Sequence, residues 1–194
     1  SGPGPGIGDG RGGEGLEIAA DRLSSPTMSD MLNDERLFAE HSGRVKPEWI
    51  DVNGHMNLAY YLLAFDQGTD TLLHHHGIGS TYTRSSNCGF FVLETHLTYE
   101  QELLEGEPFR LHTQILGLDA KRVHYFHAMH HAEKGFLAAT NEIMAVHVDL
   151  AVRRSAPWPE AAYRSLTAMA EAHRAVPRPP QAGRSIGMER RRAA

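Results

Sequence analysis

The feature that most constrains the fold is a change of hydrophobic period near the middle of the chain. Between residues 58 and 73, apolar side chains recur at the spacing of a helix with one buried stripe. From residue 91 to residue 148 the period is two, as in strands that bury one face. One helix cannot cover both faces of the resulting sheet. The pattern therefore predicts an α+β protein in which a curved antiparallel sheet wraps around one long central helix.

Capping and turn residues set the limits of these elements. The helix is expected to begin after Asn57, a favourable N-cap residue, and to end near Gly77. Its buried stripe is predicted to comprise Leu58, Tyr61, Leu62, Phe65, Thr69, Leu72 and Leu73. Turn signals at 105–108, 117–119 and 132–135 divide the region that follows into four strands. A short strand is expected near 41–46, and a last helix over 159–173.

The chain is expected to form one folded domain with a tail at each end. We predict a poorly ordered extension over 1–40, the folded domain over 41–155, and a C-terminal helix and tail over 156–194. Residues 1–27 are rich in Gly, Pro and Ser, and they carry too little apolar surface to offset the entropy of ordering.

Composition excludes several classes of function. The net charge of −5 argues against a nucleic-acid or membrane-surface binder, which needs a basic face. The single cysteine, Cys88, excludes an intramolecular disulfide. No apolar run approaches the ~20 residues that span a bilayer, and no secretion signal is evident. The 13 histidines include no HExxH pair. We therefore expect a cytoplasmic protein that uses neither a metal nor a cofactor.

Polar residues cluster immediately before the predicted helix. Asp51, Asn53 and His55 are spaced by two, so in an extended segment their side chains would point to one side. The free N–H groups at the start of the helix could polarise a carbonyl there, and the carboxylate could act as base or nucleophile. A structural interpretation is equally open: Asn53-Gly54 can be an ordinary turn, His55 a core residue, and Asn57 only a cap.

This segment resembles a known signature. Residues 49–57 read W-I-D-V-N-G-H-M-N and are followed by Tyr60 and Tyr61. They are similar to the D-x-x-G-H-x-N…Y motif that precedes the central helix in 4-hydroxybenzoyl-CoA-thioesterase-like hotdog proteins. The similarity extends over about 44–152. It implies a hotdog fold, thioester hydrolysis, and Asp51 as the catalytic carboxylate.

The same segment is also similar to plant acyl-ACP thioesterases. In those enzymes the Asp, Asn and His of an Asp-Val-Asn-x-His motif are catalytic, together with the Glu of a later Tyr-x-x-Glu. Tyr99 and Glu102 fit that second motif here. The resemblance therefore implies catalytic roles for Asp51, Asn53, His55 and Glu102.

Differences from these motifs, and similarities elsewhere in the chain, bear on which acyl thioester is the substrate. Leu58 stands where the hotdog family often has a second Asn, and Leu103 stands where the plant enzymes have Cys, which leaves the substrate class open. Within the family, the chain most resembles thioesterases associated with carnitine degradation and proposed to cleave betainyl-CoA. The residues that carry this likeness are 92–94, 119–122, 131–133, 138–142 and 147–150.

A betainyl group constrains its binding site, because a trimethylammonium ion favours aromatic faces and a carboxylate. The candidate substrate-binding residues are Trp49, Asn57, Tyr60, Tyr61, Phe91 and Glu94. The structural alternative is that most of these aromatic residues are core or dimer contacts. Lys121 and Arg122, on the turn between two strands, could bind CoA phosphates or form a solvated hairpin tip.

The resulting prediction is an acyl-CoA thioesterase. An acyl-ACP thioesterase is the first alternative, although this acidic chain offers little sign of a basic docking patch. A hotdog dehydratase matches the motif poorly, and a non-catalytic acyl-binding hotdog protein is the remaining alternative. A homodimer or larger assembly is expected, because residues 90–97 and 136–148 are apolar on both faces. In resembling proteins two sheets join edge to edge, with the active sites at the interface.

Overall fold

The computed structural model describes residues 34–188 of the protein. The elements, in chain order, are β1 (Phe38–Arg44), a 3-10 turn (Pro47–Trp49), α1 (Leu58–His75), α2 (Ser80–Ser86), β2 (Cys88–Tyr99), β3 (Pro108–Leu118), β4 (Arg122–His131), β5 (Leu137–Asp149), β6 (Arg154–Ser155) and α3 (Glu160–His173).

The strands form one antiparallel sheet in the order β1-β3-β4-β5-β2, and the two-residue strand β6 pairs with β5. The sheet curls around α1, whose buried side chains share two hydrophobic clusters with β3, β4 and β5. The hotdog fold is thereby confirmed. Strand β2 lies at one edge of this order and is paired on one side only, by β5.

Helix α1 approaches the sheet closely at its middle. Phe65 is fully buried there, and Gly68 faces Leu111 of β3. A Cβ atom at Gly68 would lie 2.4 Å from Leu111 Cδ1, so any other residue there would force the buried Leu111 side chain to shift. The position of the helix against the sheet is therefore set by residues in its second and third turns.

Most elements agree with the sequence-based predictions, and four details differ. The central helix, the four long strands and α3 are confirmed. Strand β1 begins at Phe38, earlier than expected, and α2 was not predicted. Leu58 and Leu62 were wrongly assigned to the buried stripe, since they are 64% and 43% exposed. The division into 1–40, 41–155 and 156–194 stays a prediction, and residues 1–33 lie outside the described part of the chain.

Candidate active site

The segment between residues 51 and 55 is a tight turn. The N–H of Asp51 donates to the carbonyl of His55 at 3.0 Å, and the N–H of Gly54 donates to the carbonyl of Asp51 at 3.0 Å. Gly54 has φ +83°, a conformation that favours glycine. Of the two alternatives that the sequence left open, the turn is the one observed, because backbone hydrogen bonds close the segment into a loop. Strand geometry does not align the three polar side chains here.

The turn nevertheless directs the Asp51 carboxylate towards the start of α1. Its Oδ1 accepts from the N–H of Asn53 at 2.8 Å, and its Oδ2 accepts from Asn57 Nδ2 at 3.5 Å. Asn57 is also the N-cap of α1, since its Oδ1 accepts from the N–H of Ala59 at 3.0 Å. One amide side chain thus links the carboxylate to the first turn of the helix.

The first turn of α1 leaves the backbone N–H of Leu58 available as a donor. The N–H of Ala59 is bonded to the Asn57 side chain, and the N–H of Tyr60 donates to the Asn57 carbonyl at 3.0 Å. Within residues 34–188, the N–H of Leu58 has no hydrogen-bond partner. A free N–H at a helix N-terminus attracts a negatively polarised oxygen. This donor lies next to the residue that holds Asp51.

The segment that follows β2 is attached to the same place. The N–H of Met56 donates to the Leu103 carbonyl at 2.8 Å, and the N–H of Leu103 donates to Tyr61 Oη at 3.0 Å. Glu102 is exposed on this fixed segment. Burial raises the pKa of Tyr61, and the nearby Glu102 carboxylate adds to that rise. The fold therefore brings Asp51, Asn57 and the Glu102 segment together, although 51 residues separate Asp51 from Glu102 along the chain.

The side chains of Asn53 and His55 make no hydrogen bond to the Asp51 carboxylate. The side chain of Asn53 is exposed, and its contact with Asp51 is made by the backbone N–H. His55 is half-buried, with Nδ1 lying 3.3 Å from the Met56 carbonyl oxygen. Catalytic roles for these two side chains stay predictions.

Two of the candidate aromatic residues are part of the core. Trp49 is 4% exposed and stacks on Tyr60, with ring centroids 5.6 Å apart and an interplanar angle of 13°. Tyr61 is equally buried and contacts Tyr99 edge to face. Tyr60 is half-buried. Packing accounts for the positions of Trp49 and Tyr61, whereas Tyr60 keeps part of its surface accessible.

Phe91 and Glu94 lie on the exposed middle of β2. Phe91 is 41% exposed. Glu94 lines a cavity with His124 and Glu142, near the C-terminal residues 183–186. Neither residue lines the groove beside α1 that is described below. Substrate binding by either residue stays a prediction.

Lys121 and Arg122 lie at the opposite end of the sheet from Asp51. Lys121 ends the β3–β4 turn and Arg122 begins β4. The Asp119 carboxylate accepts from both of their backbone N–H groups and pairs with the Arg122 guanidinium at 2.7 Å. Asp51 lies near the other end of β3, because Met56 is bonded to Leu103 and that segment leads into this strand. An 11-residue strand spans about 33 Å, so the two groups of one chain are far apart.

A groove that the sequence did not reveal runs between α1 and the edge of the sheet. Its volume is about 440 Å³. The residues that line it are Ala59, Leu62, Leu63, Asp66, Thr69, Val92, Thr95, Asn141 and Ile143. It begins at Ala59, in the first turn of α1, and extends to Thr69, about three turns along the helix. The signal for it was present in the sequence as a second helical stripe at 59, 62, 63 and 66, on the flank of α1 beside its buried stripe.

Polar side chains in the groove are fixed by internal hydrogen bonds. Thr69 Oγ1 lies 3.1 Å from Tyr125 Oη and 3.0 Å from His127 Nε2. Thr95 Oγ1 donates to Asn141 Oδ1. Asp66 differs from them, because no hydrogen bond or ion pair joins its carboxylate to another residue within 34–188. Burial raises the pKa of Asp66, and the carboxylate of Asp70 raises it further.

Two other kinds of feature are absent from the described residues. Between residues 34 and 188, no group of three or more His, Cys, Asp or Glu side chains is arranged to hold a metal ion. No helix in that range is long and apolar enough to cross a membrane.

A single antiparallel sheet curled around one long helix is the hotdog architecture. Residues 45–166 match the thioesterase-like superfamily, and the chain belongs to this family of enzymes.

Relatives of known name and structure agree with that assignment. The betainyl-CoA thioesterase of Pseudomonas aeruginosa is 43% identical over 144 residues, which is 74% of this chain and 91% of that protein. The L-carnitine dehydrogenase/betainyl-CoA thioesterase of Rhizobium meliloti is 34% identical over 76% of this chain, which spans only 29% of that longer protein. A Staphylococcus aureus protein solved in complex with CoA superposes with a TM-score of 0.75 and 31% identity, covering 79% of this chain and 96% of that one.

Proposed function

We propose that the protein hydrolyses an acyl-CoA thioester, with betainyl-CoA as the first substrate to test. The observation that carries the proposal is the Asp51 carboxylate, held by Asn57 next to the free N–H of Leu58. The names of the relatives support CoA thioesters as the substrate class, and a structural neighbour was solved with CoA.

The start of α1 supplies the electrostatic part of catalysis. When the carbonyl carbon of the thioester is attacked, its oxygen becomes negative. The N–H of Leu58 can donate to that oxygen, and the positive end of the helix dipole stabilises the same charge. Because the N–H is fixed by the helix, it needs no reorganisation as the charge develops.

Asp51 supplies the proton transfer. Its carboxylate removes a proton from a water molecule while the water oxygen bonds to the carbonyl carbon. The tetrahedral intermediate then collapses, the C–S bond breaks, and the CoA thiolate takes the proton held by Asp51. The products are the free acid and the CoA thiol. The contacts from the Asn53 N–H and from Asn57 Nδ2 keep the carboxylate oriented through these steps.

Glu102, His55 and the Asn53 side chain are assigned supporting roles in the same site. Glu102 is carried on a segment fixed to Met56 and Tyr61, so its carboxylate can orient the attacking water. Attack by Asp51 itself, giving a mixed anhydride, is the alternative chemistry. Single-turnover hydrolysis in ¹⁸O-labelled water tests it, because label transferred to Asp51 instead of the product would identify the anhydride.

We propose that the active form is a homodimer joined through β2. This strand has 12 residues, lies at an edge of the sheet, and exposes Phe91, Val92 and Leu93. An exposed apolar edge strand readily pairs with another chain. Because Val92 also lines the groove beside α1, pairing at this edge would help to close the site. The turn of one copy could then bring Lys121 and Arg122 to CoA phosphates bound at the other copy. The cytoplasm stays the compartment that the sequence predicts.

The decisive experiment measures thiol release from a panel of acyl-CoA thioesters that includes betainyl-CoA. We expect turnover by the parent protein and its loss in Asp51→Asn. A parallel assay with acyl-ACP carrying the same acyl group distinguishes the carrier. Absence of thiol release from every acyl-CoA, or full activity in Asp51→Asn, would contradict the proposal.

A further inference from the structure

We propose that Asp66 determines acyl specificity, by pairing with a positively charged quaternary ammonium group on an acyl chain that lies in the groove beside α1. This inference rests on the proposed function and deepens it, because it identifies the residue that would recognise a positive charge on the acyl group. Asp66 was not among the residues that the sequence pointed to.

The position of Asp66 suits this role. The groove starts at Ala59, in the first turn of α1, and the proposed mechanism places the reacting carbonyl at this end of the helix. Asp66 follows Leu58 by eight residues, which corresponds to about 12 Å along the helix axis. Its Cβ is tilted back towards the helix N-terminus, so the carboxylate lies closer to the reacting end than its Cα does. An acyl chain that enters from the start of α1 therefore runs towards this carboxylate.

The lining of the groove matches a trimethylammonium group. Such a group carries charge but has no N–H to donate, so it is recognised by an opposite charge and by apolar contacts with its methyl groups. Leu62, Leu63 and Val92 provide apolar walls. Asp66 is the one charged residue among those that line the groove.

The other polar residues of the groove do not compete for the ligand. Thr69 is engaged by Tyr125 and His127, and Thr95 by Asn141. Asp66 is exposed, lines the groove, and has no hydrogen-bond or ion-pair partner among the described residues. Its carboxylate is therefore free to pair with a cation bound between the apolar walls, which is the physical reason to expect selection of a cationic acyl group over a neutral one.

The test compares cationic acyl-CoA thioesters with neutral carbon isosteres of the same shape. One pair is (trimethylammonio)acetyl-CoA, which is betainyl-CoA, and 3,3-dimethylbutanoyl-CoA. The other pair is 4-(trimethylammonio)butanoyl-CoA and 5,5-dimethylhexanoyl-CoA. We expect the parent protein to favour the cationic member of at least one pair in kcat/KM, by about tenfold or more. The pair with the larger preference reports the distance from the carbonyl to Asp66.

The variant Asp66→Asn should abolish that preference by lowering kcat/KM for the cationic member while leaving the neutral member within about threefold. Asp70→Asn is the matched control. Asp70 lies one turn further along α1 and is exposed, as Asp66 is, but it does not line the groove. Both variants remove one negative charge from the same helix face, so a long-range effect would appear equally in both.

The result that overturns the inference is a cationic preference that survives Asp66→Asn, or one that is absent in the parent protein. An equal effect of Asp66→Asn and Asp70→Asn also overturns it. If the parent protein hydrolyses none of the four thioesters, the proposed function is judged separately, by the wider panel of acyl-CoA thioesters. Calorimetric titration of the same four compounds then decides the role of Asp66, since equal affinity of parent and Asp66→Asn protein for the cationic compounds refutes it.

Discussion

Asn57 joins Asp51 to the first turn of α1, because its Nδ2 donates to Asp51 Oδ2 at 3.5 Å while its Oδ1 caps the N–H of Ala59 at 3.0 Å. One side chain therefore has two separable functions. It stabilises the helix, and it sets the direction of the carboxylate that the proposed chemistry uses. The two functions can be separated by substitution.

The first prediction concerns the carboxylates. Asp51→Asn should lower kcat by about 10²–10⁴-fold, because the amide cannot accept a proton from water. The melting temperature should change little, since the amide is nearly isosteric and Asp51 is only half-buried. Steady-state thiol release and thermal unfolding provide the two measurements.

Glu102→Gln is the comparison for that variant. We expect a smaller loss of kcat, because Glu102 is exposed and acts on water only through its position near Met56 and Tyr61. A larger loss in Glu102→Gln than in Asp51→Asn would reverse the two roles and make Glu102 the principal base.

The second prediction separates the cap from the orientation of Asp51. Asn57→Ala should reduce the free energy of unfolding by about 1 kcal/mol, because the N-cap is lost, and should also lower kcat. Asn57→Ser should keep the cap, since serine is a good N-cap residue. It cannot donate to Asp51 as the longer amide does, so its kcat should fall without the loss of stability. Equal kcat in parent and Ser variant would show that the contact at 3.5 Å has no catalytic role.

Local signals account for the parts of the fold that the sequence predicted. The N-cap residue Asn57 and the helical spacing of apolar side chains predict α1. The alternation of apolar and polar side chains predicts the long strands. Helix α2 was missed because its seven residues, STYTRSS, carry no amphipathic pattern. A tertiary contact supports it instead, in which Tyr82 Oη and His147 Nε2 lie 2.8 Å apart.

The candidate site was only partly predictable, because it depends on contacts between distant segments. The motif around Asp51 is local, and its residues were identified. The turn within it was left as an alternative to an extended segment, since the sequence of residues 51–55 is compatible with both conformations. The groove requires α1, β2 and β5 to lie side by side, so Val92 and Asn141 became neighbours of Asp66 only in the folded chain.

The third prediction concerns assembly. Val92→Lys should convert the proposed dimer to a monomer, because Val92 lies on the free edge strand and is 50% exposed in the single chain. Val152→Lys adds the same charge at another exposed apolar position, which is 62% exposed, and should leave the assembly intact. Sedimentation velocity at micromolar concentration gives the mass. A parent protein that is monomeric under these conditions would contradict the dimer.

The fourth prediction concerns stability at low pH. Burial lowers the pKa of His127 to about 3 and that of His130 to about 4. Both imidazoles are therefore neutral in the folded protein, whereas in the unfolded chain they bind protons below a pKa of about 6.5. Their contribution to stability is complete above that value and is lost as the pH falls towards the folded-state pKa. Each can contribute a slope of up to about 1.4 kcal/mol per pH unit.

Denaturant unfolding at intervals between pH 7.5 and pH 5 checks this prediction, in a range above the usual titration of carboxylates. The free energy of unfolding should decrease steadily below about pH 6.5. His127→Gln should show a shallower slope, because the side chain between Thr69 and Thr113 then binds no proton in either state. Its stability at pH 7.5 should be lower, since two buried hydrogen bonds are altered, but the change of slope is independent of that offset. An identical slope in the parent and the variant would show that His127 does not remain neutral in the core as its burial requires.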